Sequence, residues 1–117
     1  MALYDITTKK EFKEKVLENP KVVLVDFWAG WCAPCVAMTP HLNAIAEEMD
    51  RIVDVVKVNI DDLPENYENQ QLAGEYGVRS IPNMPVFVGG KEERRIIGLT
   101  PKLQLGMILR DIAKNSK

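Results

Sequence analysis

Hydrophobic and polar positions follow two periods along the chain, and the switches between them mark out the elements. Leu3 to Ile6 reads as a short first strand. Thr8 and Glu11 have the spacing of a capping box and open a helix to about Glu18, with Phe12, Val16 and Leu17 on its inner face. Asn19-Pro20 ends that helix. Val22 to Trp28 is almost continuously apolar and β-branched, the pattern of a strand covered on both faces. A helix follows from about Pro34 to Met49, with Val36, Leu42, Ile45, Ala46 and Met49 available for burial and a kink expected at Pro40. Val53 to Ile60 is the next strand.

The polar stretch Asp61 to Gln71 leads into a short helix ending near Tyr76-Gly77, with Gly77 as its C-terminal cap. Met84 to Val88 is a strand, Gly89-Gly90 a tight turn and Arg94 to Ile97 the returning strand. Thr100 as N-cap and Pro101 at the first helical position open a last helix to about Ala113, with Leu103, Met107, Ile108 and Ile112 inward. The order β-α-β-α-β-α-β-β-α predicts an α/β fold in one domain over residues 1–117: a mixed central sheet with helices on both faces.

Composition adds exclusions. The chain has 117 residues, 46% apolar and 27% charged, with a net charge of −2 and both signs interspersed. One hydrophobic core suits this length. No basic footprint for nucleic acid exists, nor a polybasic surface for anionic lipid. The first 15 residues are polar and charged, unlike a signal peptide. No apolar run approaches the roughly 20 residues that span a bilayer. A cytoplasmic location is therefore the expectation, and in that compartment structural disulfides are rare.

Chemistry concentrates at Trp31-Cys32-Ala33-Pro34-Cys35, where the buried strand gives way to a helix. A Cys-x-x-Cys beside a βαβ pattern is a redox signature. Two intervening residues let the sulfurs meet within one helical turn. Cys32 falls at the helix N-terminus, where free N–H groups and the helix dipole favour its thiolate, the nucleophile of disulfide exchange. Cys35, one turn deeper, suits the resolving role. Pro34 lies in the first turn, where its missing N–H costs little. Half of a zinc site has the same spacing, but there is no second cysteine pair and only one histidine, His41. His41 itself is expected to face solvent.

The segment from Val25 to Cys35 resembles the active-site segment of the thioredoxin family nearly residue for residue. The likeness extends through Pro40, Lys57 to Asp61, Tyr76 to Pro82, Phe87, Gly90 and Gly98, covering essentially the whole chain. It implies the thioredoxin fold, with about five strands and four helices, and a protein-disulfide reductase working through Cys32 and Cys35. It also implies that Asp26 is a buried carboxylate passing a proton to and from Cys35. The sequence context of Asp26, inside an apolar strand, agrees: burial raises a carboxyl pKa toward the range useful for proton transfer. An exposed strand-end aspartate is the alternative. By the same resemblance Lys57 lies beside Asp26 and modulates it, against the alternative of a solvated strand-edge lysine. Pro82 is a cis-proline facing the disulfide, and Ile81 offers backbone groups to an extended substrate. Trp31, Ala33, Pro34, Ile81, Pro82 and Gly98 form a shallow apolar substrate surface, and Trp28 packs beneath the active-site loop. The implied partners are disulfide-containing proteins and a thioredoxin reductase or equivalent electron donor. A monomer without bound cofactor or metal is expected.

The chain departs from the family pattern in places. Ala33 replaces the usual glycine between the cysteines, a position that tunes thiolate stability. Neither intervening residue is histidine, which leans toward a reductant. Asn83 stands where threonine is usual. Pro85 falls inside an expected interior strand, where it cannot donate to the ladder, so a gap or a bulge is expected there. Met84-Pro85 is a second candidate for the cis bond; the spacing to Phe87 and Gly98 favours Pro82. The segment from Asp62 to Glu75 is about six residues longer than in compact family members, and reads as an extra polar helical turn or a longer loop. Glu92-Glu93-Arg94-Arg95 reads as a charged hairpin edge that discourages edge pairing.

Overall fold

The computed structural model describes residues 2–116. Its five-stranded sheet has the order β1-β3-β2-β4-β5, with β1 (Leu3–Ile6), β2 (Val22–Trp28), β3 (Val53–Asn59), β4 (Asn83–Val88) and β5 (Lys91–Ile97). β1, β3 and β2 run parallel, and β4 and β5 are antiparallel additions. The helices are α1 (Lys9–Phe12, continuing as a wider turn over Lys13–Leu17), α2 (Ala33–Glu48), α3 (Tyr67–Glu75) and α4 (Lys102–Asn115). This is the mixed sheet with four helices that the sequence predicts.

Strand alternation sorts the core into two layers. Val22 and Leu24 of β2, Val53 and Val55 of β3, and Met84 and Val86 of β4 pack under α2 and α4. Val23, Val25 and Phe27 of β2, with Val56 and Val58 of β3, pack under α1 and α3. β2 is buried from Val22 through Phe27 because both of its faces are covered. Asp26 shares the parity of Val22 and Leu24, which puts it on the face covered by α2.

Local signals explain most boundaries. Thr8 Oγ1 accepts from the Glu11 amide at 3.1 Å, and the Glu11 carboxylate accepts from the Thr8 amide at 3.2 Å, so the capping box forms. Gly77 takes φ +65° after α3, where Val78 N–H reaches Ala73 C=O at 2.9 Å and Gly77 N–H reaches Gly74 C=O at 3.2 Å. That doubly bonded end needs a left-handed residue. α2 runs unbroken through Pro40, whose missing N–H leaves the Val36 carbonyl without its intrahelical donor.

Several expectations are corrected. Leu103 and Met107 are exposed, at 73% and 64% of their surface, and the inner stripe of α4 is Leu105, Ile108, Leu109 and Ile112. Leu105, Ile108, Leu109 and Ile112 follow the i, i+3, i+4, i+7 spacing of one face, whereas Leu103 and Met107 lie on the side that carries Arg110 and Lys114. Thr100 is not the N-cap. Its hydroxyl turns back to the Gly98 carbonyl at 3.1 Å, Pro101 takes the cap position, and His41 Nδ1 of α2 accepts the Lys102 N–H at 3.0 Å. His41 is thus a half-buried capping acceptor on a neighbouring helix. Val36 is exposed, and Met38 takes its place in the core.

Pro85 lies within β4. Pairing between β2 and β4 breaks off between Leu24↔Val86 and Phe27↔Asn83, so Pro85 sits in a gap on that side, while pairing to β5 continues over it. A register shift follows between Val86 and Phe87. Both sequence options, a gap and a bulge, are present in adjacent positions.

Candidate active site

Three elements converge on the cysteine pair: the end of β2, the start of α2 and the Ile81-Pro82 segment before β4. Cys32 and Cys35 are joined as a disulfide, with Cα atoms 5.2 Å apart. Cys32 is the N-cap of α2, and its Sγ accepts the Cys35 N–H at 3.2 Å. The sulfur therefore occupies the place usually taken by a serine or aspartate oxygen, where a negative charge is favoured. Pro34 lies within the first helical turn. Both cysteines are buried, Cys35 more completely, and pack with Ala29, Trp28, Ile60 and Ile81.

The Ile81–Pro82 peptide bond is cis, and the Ile81 carbonyl oxygen lies 3.7 Å from Cys32 Sγ. Gly98, at φ +91°, donates its N–H to the Pro82 carbonyl at 2.9 Å, which fixes the β5 end against this segment. Trp31 (74% exposed), Ala33 and Pro34 face solvent around Cys32, with Ile81 and Gly98 half-buried beside them. Pro82 is buried, so it lies beneath that surface rather than on it.

Asp26 has no exposed surface, and among the described residues neither of its carboxylate oxygens has a hydrogen-bond partner. Desolvation pushes its pKa up from 3.8 to about 7, against a smaller lowering by the Lys57 charge. The exposed alternative for Asp26 is excluded. Lys57 is buried on β3, in register with Asp26. β3 lies between β1 and β2, so the solvated strand-edge alternative fails as well. The Lys57 ammonium stands over the Trp28 ring, 4.3 Å from its centroid.

This arrangement matches a known family. The thioredoxin family profile fits residues 4–111. The chain belongs to the thioredoxin family. It is 45% identical over 98 residues to the thioredoxin of Porphyra purpurea, covering 84% of this chain and 86% of the relative. Thioredoxin 1 of Nostoc sp. is 42% identical over 102 residues, covering 87% and 90%. Thioredoxin 1 of Synechococcus elongatus is 40% identical over 109 residues, covering 93% and 96%. The chain is a thiol–disulfide oxidoreductase and protein-disulfide reductase, exchanging through Cys32 and Cys35.

Two polar contacts near the site had no individual signal in the sequence. Both carboxylate oxygens of Asp61 approach the Gly30 N–H, at 3.0 and 3.2 Å, just before Trp31-Cys32. The His41 cap described above joins α2 to the loop after Gly98. Each depends on a pairing across the fold that spacing along the chain does not encode.

Proposed function

We propose that the protein reduces disulfides in other proteins with Cys32 as nucleophile and Cys35 as resolving thiol. In the dithiol form the Cys32 thiolate attacks one sulfur of the substrate disulfide. A bond forms between Cys32 and that sulfur, and the other substrate sulfur leaves as a thiolate. Cys35 then loses its proton to Asp26 and attacks Cys32 Sγ. The Cys32–Cys35 disulfide closes, the second substrate sulfur leaves, and two electrons have passed to the substrate.

The N-cap position of the Cys32 sulfur is the observation that carries this reading, because the amide that binds it favours the anion needed for attack. A pKa of about 7 suits Asp26 to accept and return a proton near neutrality, with Lys57 holding that value down. Trp31, Ala33, Pro34, Ile81 and Gly98 form the docking surface around Cys32, with Pro82 backing it, and the Ile81 backbone pairs with an extended substrate segment.

The protein acts as a cytoplasmic monomer without bound cofactor, and a thioredoxin reductase or equivalent donor restores the dithiol. The test is reduction of insulin disulfides by the dithiol form, followed by recycling with candidate reductases. Stoichiometric reduction with catalytic turnover on adding a reductase is expected. A protein that equilibrates with glutathione as a strong oxidant would contradict the direction of electron flow.

A further inference from the structure

The stretch from Asp61 through the first turn of α3 is tied to the nucleophile loop by a chain of side-chain contacts. After β3 ends at Asn59, the Asp61 N–H donates to Asn59 Oδ1 at 2.7 Å. The Asp61 carbonyl accepts from Asn66 Nδ2 at 3.1 Å, Gln70 Nε2 at 2.9 Å and the Leu63 N–H at 2.8 Å. Asn66 is buried. Asp61 is thus fixed at its backbone from both sides, and its carboxylate is left to hold the Gly30 N–H.

Gly30 lies inside the turn that the Cys32 N–H closes on the Ala29 carbonyl, at 3.2 Å. A Cβ on Gly30 would stand 3.3 Å from Asp61 Oδ2, so the close approach leaves little room for a side chain. The sequence of contacts runs from Asn66 and Gln70 to Asp61, from Asp61 to Gly30, and from that turn to Trp31 and Cys32. Asn69 anchors the same segment to the sheet by donating to the Ile6 and Asn59 carbonyls, at 2.9 and 3.0 Å.

We infer that Asn66 and Gln70 are positioning residues that act through Asp61 to hold the Gly30–Cys32 turn in the geometry that aims Cys32 at its target. The inference deepens the proposed function and rests on Cys32 being the attacking sulfur. A carboxylate–amide bond is charge-assisted, and its full loss leaves a turn amide without a protein partner. Displacement of the turn also moves Cys32 Sγ relative to the Cys35 N–H that stabilises its anion.

The experiment measures alkylation of Cys32 by iodoacetamide in the full-length dithiol protein as a function of pH. Four proteins are compared: the parent, Asp61→Ala, the pair Asn66→Ala/Gln70→Ala, and all three substitutions together. The uncharged, near-isosteric pair Asn66→Leu/Gln70→Met, which removes the donors without adding charge, serves if the alanine pair unfolds. Asp61→Ala is expected to lower the rate at neutral pH about fivefold, the equivalent of one hydrogen bond, and to move the midpoint to higher pH. The pair should move both in the same direction, and should add nothing once Asp61 is gone. A loss of stability alone would shift the urea midpoint without moving the pH profile. Effects of the pair that multiply with Asp61→Ala, or a pair indistinguishable from the parent, would overturn the inference. Alkylation of the parent at Cys35 in preference to Cys32 would instead overturn the reading on which it rests.

Discussion

Asp26 and Lys57 face each other in the β2–β3 register, yet the lysine ammonium lies over the Trp28 ring, and among the described residues neither carboxylate oxygen has a hydrogen-bond partner. A contact ion pair would pull the carboxyl pKa down. A charge acting through space offsets only part of the desolvation, and the result is a carboxyl that titrates at about 7. Trp28 is therefore a structural support and also the ring over which the Lys57 ammonium rests.

The Asp26 carboxyl titrates at 3.8 in the unfolded reference and at about 7 in the folded protein. Between these values the native state holds a proton that the unfolded chain has released. Stability therefore falls as pH rises through this window and levels off above it. The raise corresponds to about 4 kcal/mol, at about 1.4 kcal/mol per unit. Asp26→Asn should be more stable than the parent at pH 8 by up to that amount, with the gap closing near pH 4, while its exchange slows. Urea unfolding at the two pH values checks the first part and insulin turnover the second. An unchanged rate would remove Asp26 from the mechanism.

Removing the Lys57 charge should raise the Asp26 pKa further, because that charge lowers it. Lys57→Met also removes the cation–π contact with Trp28, worth about 0.5–2 kcal/mol. The carboxyl carbon chemical shift of Asp26, followed by NMR across pH, reports the midpoint. A downward movement would contradict the assigned sign.

His41→Ala should cost about 1 kcal/mol, the usual effect of losing a helix-capping acceptor, since the Lys102 N–H is bonded to its ring. The intrinsic exchange rate should persist, because no part of the imidazole enters the chemistry. Thermal unfolding and insulin reduction on the same preparation separate the two.

Gly90→Ala should destabilise the fold by about 1–3 kcal/mol. Gly90 has φ +81°, and a Cβ there would lie 2.6 Å from the Leu17 carbonyl oxygen, which is backbone and cannot swing aside. A urea midpoint equal to that of the parent would show that the hairpin turn is free to move.

The elements were largely legible because their signals are local. The run Val22–Trp28, the Thr8/Glu11 box and the Gly77 end each carry their cause within a few residues. Cys32 and Cys35 were equally legible, since their spacing and helix-start position define the chemistry. What escaped is set by tertiary contacts. α4 is the exception: its i, i+3, i+4, i+7 stripe of Leu105, Ile108, Leu109 and Ile112 is legible in the sequence, and Leu103 and Met107 fall outside it. His41 capping Lys102 joins residues far apart in the chain, and Asp61 holding Gly30 does the same. Pro85 announced a disturbed ladder but not its side; the gap falls toward β2.

In the proposed mechanism the outer sulfur at the α2 N-terminus attacks and the inner one resolves. Trapping tests it most directly. Cys35→Ser and Cys32→Ser proteins, each fully reduced, are mixed with a disulfide-bonded protein, and adducts are mapped by mass spectrometry. That mechanism predicts a stable mixed disulfide on Cys32 in the Cys35→Ser protein and none in the Cys32→Ser protein. An adduct that accumulates on Cys35 instead, or no adduct on Cys32, would contradict it.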